Sequence, residues 1–313
     1  MTPPASPTLV TFDYEGQWGM PHDAPYDIAD ATTLLLDMLA RHGVSAMFFV
    51  VGRLVTESPD LVSRIASAGH GIGLHGLCHE HLELVTPRAR RALRDGLERA
   101  CAAVETLTGS RPDAFRAPYL LGPRFSDPAT SEMLVELGFR WTSNREVRFA
   151  EELFRPDRVP SARARRLAAT LGLLDARRPL GSTALVALNA PHLAREQALG
   201  SAGERLRWLL AGQPPFERSG LVEVAVSAPL DCDLVGTPPP GQDTPESLLD
   251  YAARSLSAGA GRRASPYVLT FHDWIVASAN RPRLLDRVLG ELGAGRGFED
   301  GRSWRPRAAA TVA

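Results

Sequence analysis

Short β-rich runs alternate with amphipathic segments through the first 144 residues, and this alternation confines the chain to folds built on a parallel sheet, open or closed into a barrel. ThrLeuValThrPhe (8–12) reads as a strand. Residues 28–42, with Leu34, Leu35, Met38 and Leu39 at helical spacing, read as a helix stopped by Gly43. Strands are predicted at 46–51, 71–75, 114–117 and 139–142, and helices at 60–68, 87–108 and 128–137, closed by Gly69, Gly109 and Gly138. The rhythm breaks over 145–220, taken as an insertion or cap with helices at 161–174 and 201–211 and a strand at 183–188. It resumes with strand 221–227, helix 245–258, strand 267–271 and helix 281–292.

Composition removes several classes of function. A chain of 313 residues, 44% hydrophobic, can bury a large core, and its formal charge of -1 gives no pull toward nucleic acid or an anionic membrane, so neither is an expected partner. Every one of the 35 basic residues is arginine, which excludes Schiff-base chemistry, a pyridoxal anchor and a phosphate-loop lysine. Cys78, Cys101 and Cys232 are odd in number and lack C-x-x-C spacing, so a reducing compartment fits. The N-terminus lacks a basic segment followed by an apolar one, and no apolar run approaches the roughly 20 residues of a membrane span. A soluble, cytoplasmic protein is expected, with its oligomeric state left open.

Asp13, Glu15, His75, Arg116 and His272 each fall at or just past the C-terminal end of a predicted strand, and parallel βα folds gather those ends on one rim. Paired acids with His75-x-x-x-His79 make a metal-site recipe. A divalent ion takes neutral imidazoles and a carboxylate oxygen, keeps a position for water, and leaves the second carboxylate to accept a proton. In a strand, Asp13 and Glu15 share a face. The other histidines carry weaker signals: His22 and His81 lie near the site in sequence, His42 and His70 adjoin helix-stopping glycines and read as structural, and His192 reads as surface. Cys78 is expected to be small and buried, facing away from the histidines. ArgAlaArgArg at 88–91 and 163–166 reads as solvated helix faces.

ThrPheAspTyrGluGly (11–16), HisGlyLeuCysHis (75–79), PheArgAlaProTyr (115–119) and LeuThrPheHisAspTrp (269–274) resemble, in order, the motifs of the polysaccharide deacetylases, carbohydrate esterase family four. The resemblance spans about 8–144 and 221–292. It implies an α/β fold, a distorted (β/α)7 barrel with an insertion, and one catalytic domain over 1–313. The family's adjacent acid pair is here spread to D-x-E, similar to a variant subgroup. The resemblance implies Asp13 as base and Glu15, His75 and His79 as ligands of a divalent metal, with Zn2+ expected and Co2+ or Ni2+ as substitutes. It further implies His272 as general acid, Arg116 as the partner of Asp13, and the Tyr119 backbone N–H in an oxyanion hole. The aspartate that usually tunes the acid histidine is missing from PheArgTrpThrSerAsn (139–144), and Asp231, Asp233 or Asp273 could replace it. Trp18, Trp141 and Trp274 are candidate walls of a sugar pocket.

The activity implied is N-deacetylation of an acetylated amino sugar or a small metabolite containing one. Two alternatives stand beside it: hydrolysis of another C–N bond, as in ring opening of cyclic imides or allantoin or deformylation of amino sugars, and a non-catalytic carbohydrate-binding relic.

Overall fold

The computed structural model describes residues 8–18, 26–80, 82, 87–120, 128–144, 146–147, 215–227, 230–231, 253, 267–277, 282–293, 297–306 and 310–311. The elements expected at 161–174, 183–188 and 201–211, all of that expected at 245–258 except Ala253, and His22, His81, His192 and Asp233, lie outside the described residues.

Seven parallel strands form the frame. They are β1 (Thr8–Tyr14), β2 (Met47–Val50), β3 (Gly71–Leu74), β4 (Ala114–Phe115), β5 (Trp141–Thr142), β8 (Leu221–Glu223) and β10 (Tyr267–His272), in the order β10-β1-β2-β3-β4-β5-β8. Beyond β8 the sheet continues through β7 (Phe216–Arg218), antiparallel to β8, and β11 (Ala310–Thr311). A separate ladder joins β6 (Glu146–Val147) to β9 (Val226–Ser227). The helices are α1 (Ile28–His42), α2 (Gly52–Glu57), α3 (Pro59–Ser67), α4 (Pro87–Thr108), α5 (Pro128–Glu136), α6 (Asp273–Ala277) and α7 (Pro282–Gly293).

The period-two alternation of a strand assigns the two faces of β1. Val10, Phe12 and Tyr14 enter the large core with Leu35 and Leu39 of α1, Leu97 of α4 and Leu285 of α7. Phe12 stacks on Phe48 and Phe271, with ring centroids 4.9 and 5.7 Å apart. Burial of each such ring contributes about 2–3 kcal/mol. Leu9, on the other face, joins Met47, Phe49, Ala114, Trp141, Val224 and Val268 in a smaller inner cluster. Thr11 and Asp13 follow Leu9 on that inner face, so alternation carries the acid to the inside of the rim.

Helix ends fall where local chemistry sets them. Asp27 Oδ1 accepts the Ala29 and Asp30 N–H groups at 2.8 and 3.0 Å to start α1. Gly43, with φ 64°, ends it in the left-handed conformation. The expected strand 221–227 is broken, because Leu221–Glu223 pairs with β5 and β7 whereas Val226–Ser227 pairs with β6. Past that break, side chains cover the free edge of β10: Ser227 Oγ accepts the Val268 N–H at 3.1 Å and Asp231 Oδ2 the His272 N–H at 2.7 Å. The sheet thus bends toward closure through side chains, which is the distortion expected of this barrel. Among the described residues no helix is long and apolar enough to cross a membrane.

Candidate metal centre

Strand register assembles the rim. Asp13 pairs with His272 on β10, 259 residues away in sequence, and Leu74 pairs with Phe115, so His75 and Arg116 leave their strands side by side. Glu15 follows β1 by one residue. Asp273 fixes that exit, its carboxylate accepting the Glu15 and Gly16 N–H groups at 2.9 and 3.0 Å and the Tyr26 hydroxyl.

The loop after β3 turns sharply to bring His79 back. Gly76 has φ 68°, and a Cβ there would lie 2.8 Å from Pro118. His79 itself has φ 57°, a left-handed conformation rare for histidine and one that tends to mark functional sites. Glu80 holds the turn by accepting the Leu77 and Cys78 N–H groups. Cys78 is half-buried rather than enclosed, since this turn carries it toward the surface.

Glu15 Oε1 receives both imidazoles, His75 Nε2 at 3.2 Å and His79 Nε2 at 2.9 Å. His75 Nδ1 lies 3.0 Å from the Arg116 carbonyl oxygen, a contact that only an N–H can make. In the neutral ring, Nε2 therefore turns a lone pair toward the Glu15 carboxylate. Two acceptors at that separation call for positive charge, supplied by a second imidazole proton or by a divalent ion. Two imidazole nitrogens and one carboxylate oxygen suit a zinc-type ion, and their ligand atoms fall within 4.8 Å of one another. Burial opposes ionisation of Glu15, but the imidazoles of His75 and His79 and the charge of His272 outweigh it and hold the carboxyl well below the usual carboxylate range.

Asp13 divides its two oxygens. Oδ1 takes the Arg116 Nη1 at 2.5 Å, while Oδ2 lies 3.9 Å from the Nε2 atoms of both His75 and His272. Arg116 is fully buried; its Nε and Nη2 reach the Ser143 carbonyl and hydroxyl at 3.2 and 3.1 Å, and its guanidinium lies 4.1 Å from the Phe49 ring centroid. On the opposite side of Asp13, His272 Nδ1 meets Asp231 Oδ1 at 2.6 Å. Burial disfavours charge on His272, but Asp231, then Glu15 and Asp13, outweigh it and push its pKa up to about 10. Of the three candidate tuning acids, Asp231 occupies the position, Asp273 faces the Glu15 backbone, and Asp233 is outside the described residues.

The aromatic candidates separate. Trp141 is 1% exposed and packs edge-on against Phe49 and Trp304, at 5.7 and 5.4 Å, in the inner cluster. The expectation that it walls a sugar pocket is corrected: its place on the inward face of β5 makes it core. Trp18 is half-buried against the large core with the Arg53 guanidinium 5.6 Å from its ring centroid. Trp274 donates from Nε1 to Glu15 Oε2 at 2.8 Å. Tyr119, with φ 63°, is 57% exposed, and its ring lies 4.6 Å from that of His79.

Three supporting residues escaped sequence reasoning. Asn144 Oδ1 accepts the Ala117 N–H at 2.7 Å, Glu223 takes the Asn144 N–H and Thr142 hydroxyl, and Thr11 Oγ1 accepts from Arg116 Nη1. Glu223 left a readable trace as an acid within the apolar run LeuValGluValAlaVal.

The family model for polysaccharide deacetylase matches residues 2–140. Over 91 residues the chain is 35% identical to the peptidoglycan-N-acetylglucosamine deacetylase PgdA of Listeria monocytogenes, covering 29% of this chain and 19% of that protein. Over 87 residues it is 32% identical to the peptidoglycan-N-acetylmuramic acid deacetylase PdaA of Bacillus subtilis, covering 28% and 32%. The chain thus spans between a fifth and a third of the length of these two relatives. A solved Mycobacterium smegmatis structure assigned to the polysaccharide deacetylases is similar with a TM-score of 0.53 at 16% identity, covering 98% of this chain and 100% of that one, which supports the fold. Residues 2–140, which carry the first three of the four motifs in order along a curled parallel sheet, thus match the polysaccharide deacetylase family model.

Proposed function

We propose that this chain is a metal-dependent N-deacetylase that hydrolyses the acetamide of an N-acetylated amino sugar. The observation that carries the reading is the position of Asp13 Oδ2, the oxygen not held by Arg116, which faces His75 on the metal side and His272 on the acid side at 3.9 Å each.

Glu15, His75 and His79 would hold a divalent ion, which would supply Lewis acidity toward the amide carbonyl and acidify water. Asp13 Oδ2 accepts the proton that water loses as it attacks the carbonyl carbon. Arg116 holds Oδ1 and so aims Asp13. His272, protonated at neutral pH and with Nδ1 committed to Asp231, gives its Nε2 proton to the departing nitrogen. The C–N bond breaks, the water oxygen remains on acetate, and the nitrogen leaves as an amine. The Tyr119 backbone N–H, on the turn beside His79, is assigned to the oxyanion hole.

The names of the relatives point to glycan-linked sugars, N-acetylglucosamine and N-acetylmuramic acid in peptidoglycan, and we assign the substrate to that class. Those sugars take the place of the small amino-sugar metabolite expected from the sequence, and nearly all of 145–220 lies outside the described residues. The test is incubation of zinc-loaded protein with peptidoglycan fragments, N-acetylglucosamine oligomers, formylated amino sugars and cyclic imides, with products read by mass. Acetate release from the N-acetylated sugars, lost in Asp13→Asn, supports the reading. Formate release or ring opening with no acetate overturns it in favour of another C–N hydrolase.

A further inference from the structure

Glu15 arrives one residue later than an adjacent acid would and carries an extra methylene, and the structure shows what that reach achieves. Oε1 faces the two imidazoles, while Oε2 extends to the Trp274 indole N–H at 2.8 Å. Trp274 lies in the first turn of α6, immediately after the strand that delivers His272. Its neighbour Asp273 holds the Glu15 and Gly16 N–H groups. One dipeptide, Asp273-Trp274, therefore grips the same residue by main chain and by side chain.

We propose that Trp274 is a positioning residue for the metal centre: its indole N–H occupies Glu15 Oε2, so that Glu15 presents one oxygen to the ion and leaves a coordination position open. This rests on the reading of Glu15, His75 and His79 as the ligand set. A carboxylate can bind a cation through one oxygen or both. An N–H donor on one oxygen makes a charge-assisted hydrogen bond that two-oxygen binding would have to break. The half-buried setting of the indole strengthens that preference, because less water competes for the same oxygen. Phenylalanine keeps the ring's apolar contact but removes the donor. Partners of this kind are worth about 10–100-fold in metal affinity.

The test is zinc affinity by competition with a chromogenic chelator, for wild type, Glu15→Gln and Trp274→Phe, with the visible spectrum of the cobalt-substituted proteins recorded alongside. Both variants are expected to weaken zinc binding, Trp274→Phe by about 10–100-fold. Trp274→Phe should also change the intensity of the cobalt ligand-field bands, which follows coordination number. If Glu15→Gln leaves zinc affinity unchanged, the ligand set is wrong and this inference falls with it. If Glu15→Gln weakens binding while Trp274→Phe alters neither affinity nor spectrum, the inference alone is overturned. Should Trp274→Phe not fold, the wild type provides the readout by indole 15N NMR. One of the five tryptophan N–H signals should move when zinc is added; movement of none contradicts the proposal.

Discussion

Arg116 Nη1 and Asp13 Oδ1 lie 2.5 Å apart, with the arginine fully buried and the aspartate 2% exposed. A buried pair like this is expensive to break from one side, because the charge left behind is buried without its partner. Arg116→Met should therefore destabilise the fold by about 3–5 kcal/mol, read as a lower denaturant midpoint. Arg116→Lys keeps the charge but cannot reproduce the reach to Asp13 and to both Ser143 oxygens, so it should recover only part of that loss.

Asp13→Asn keeps the shape of the side chain and removes the base. Turnover should fall by about 10²–10⁴-fold, with metal content by elemental analysis unchanged. Loss of the ion together with activity would instead make Asp13 a ligand.

Asp231 sets the charge of His272. In the metal-free protein the histidine's pKa is raised from the ordinary 6.5 to about 10, so the folded state holds a proton that the unfolded state releases. Its contribution to stability is therefore complete below pH 6.5 and disappears as pH rises through about 10. Unfolding midpoints of metal-free wild type should decline across that window, and Asp231→Asn should start lower and decline less. In the zinc enzyme the same variant should move the alkaline limb of kcat/KM to lower pH.

His70 has the opposite sign. Burial lowers its pKa to about 4, and its Nδ1 accepts the Ala46 N–H at 3.1 Å, a contact that protonation destroys. The unfolded chain takes up the proton near pH 6.5, so stability is lost as pH falls from there through about 4. The loss should be about 1–3 kcal/mol and should flatten in His70→Gln, measured by urea unfolding between pH 7 and 4.

The site was legible where a side chain sits at a strand end, because strand position alone determines which rim it reaches. Asp13, Glu15, His75, Arg116 and His272 were found in this way. Asp231 could not be selected over Asp233 and Asp273 from sequence, since its contact with His272 depends on how the chain runs after β9, which no local periodicity encodes. Trp141 shows the same limit from the other direction: a tryptophan beside a site motif looks like a substrate wall until the alternation of β5 is anchored to the inner face. The break between β8 and β9 was hidden because LeuValGluValAlaValSer reads as one β-rich run with valine at every second position, and only the change of partner strand divides it.

The central claim is that Glu15, His75 and His79 share one divalent ion, and zinc stoichiometry measured after equilibrium dialysis tests it most directly. Wild type should retain about one equivalent per chain, and Glu15→Gln, His75→Ala and His79→Ala, each still folded by circular dichroism, should retain far less at the same free zinc. A wild type that holds no zinc, cobalt or nickel, or three variants that bind as tightly as wild type, contradicts the account.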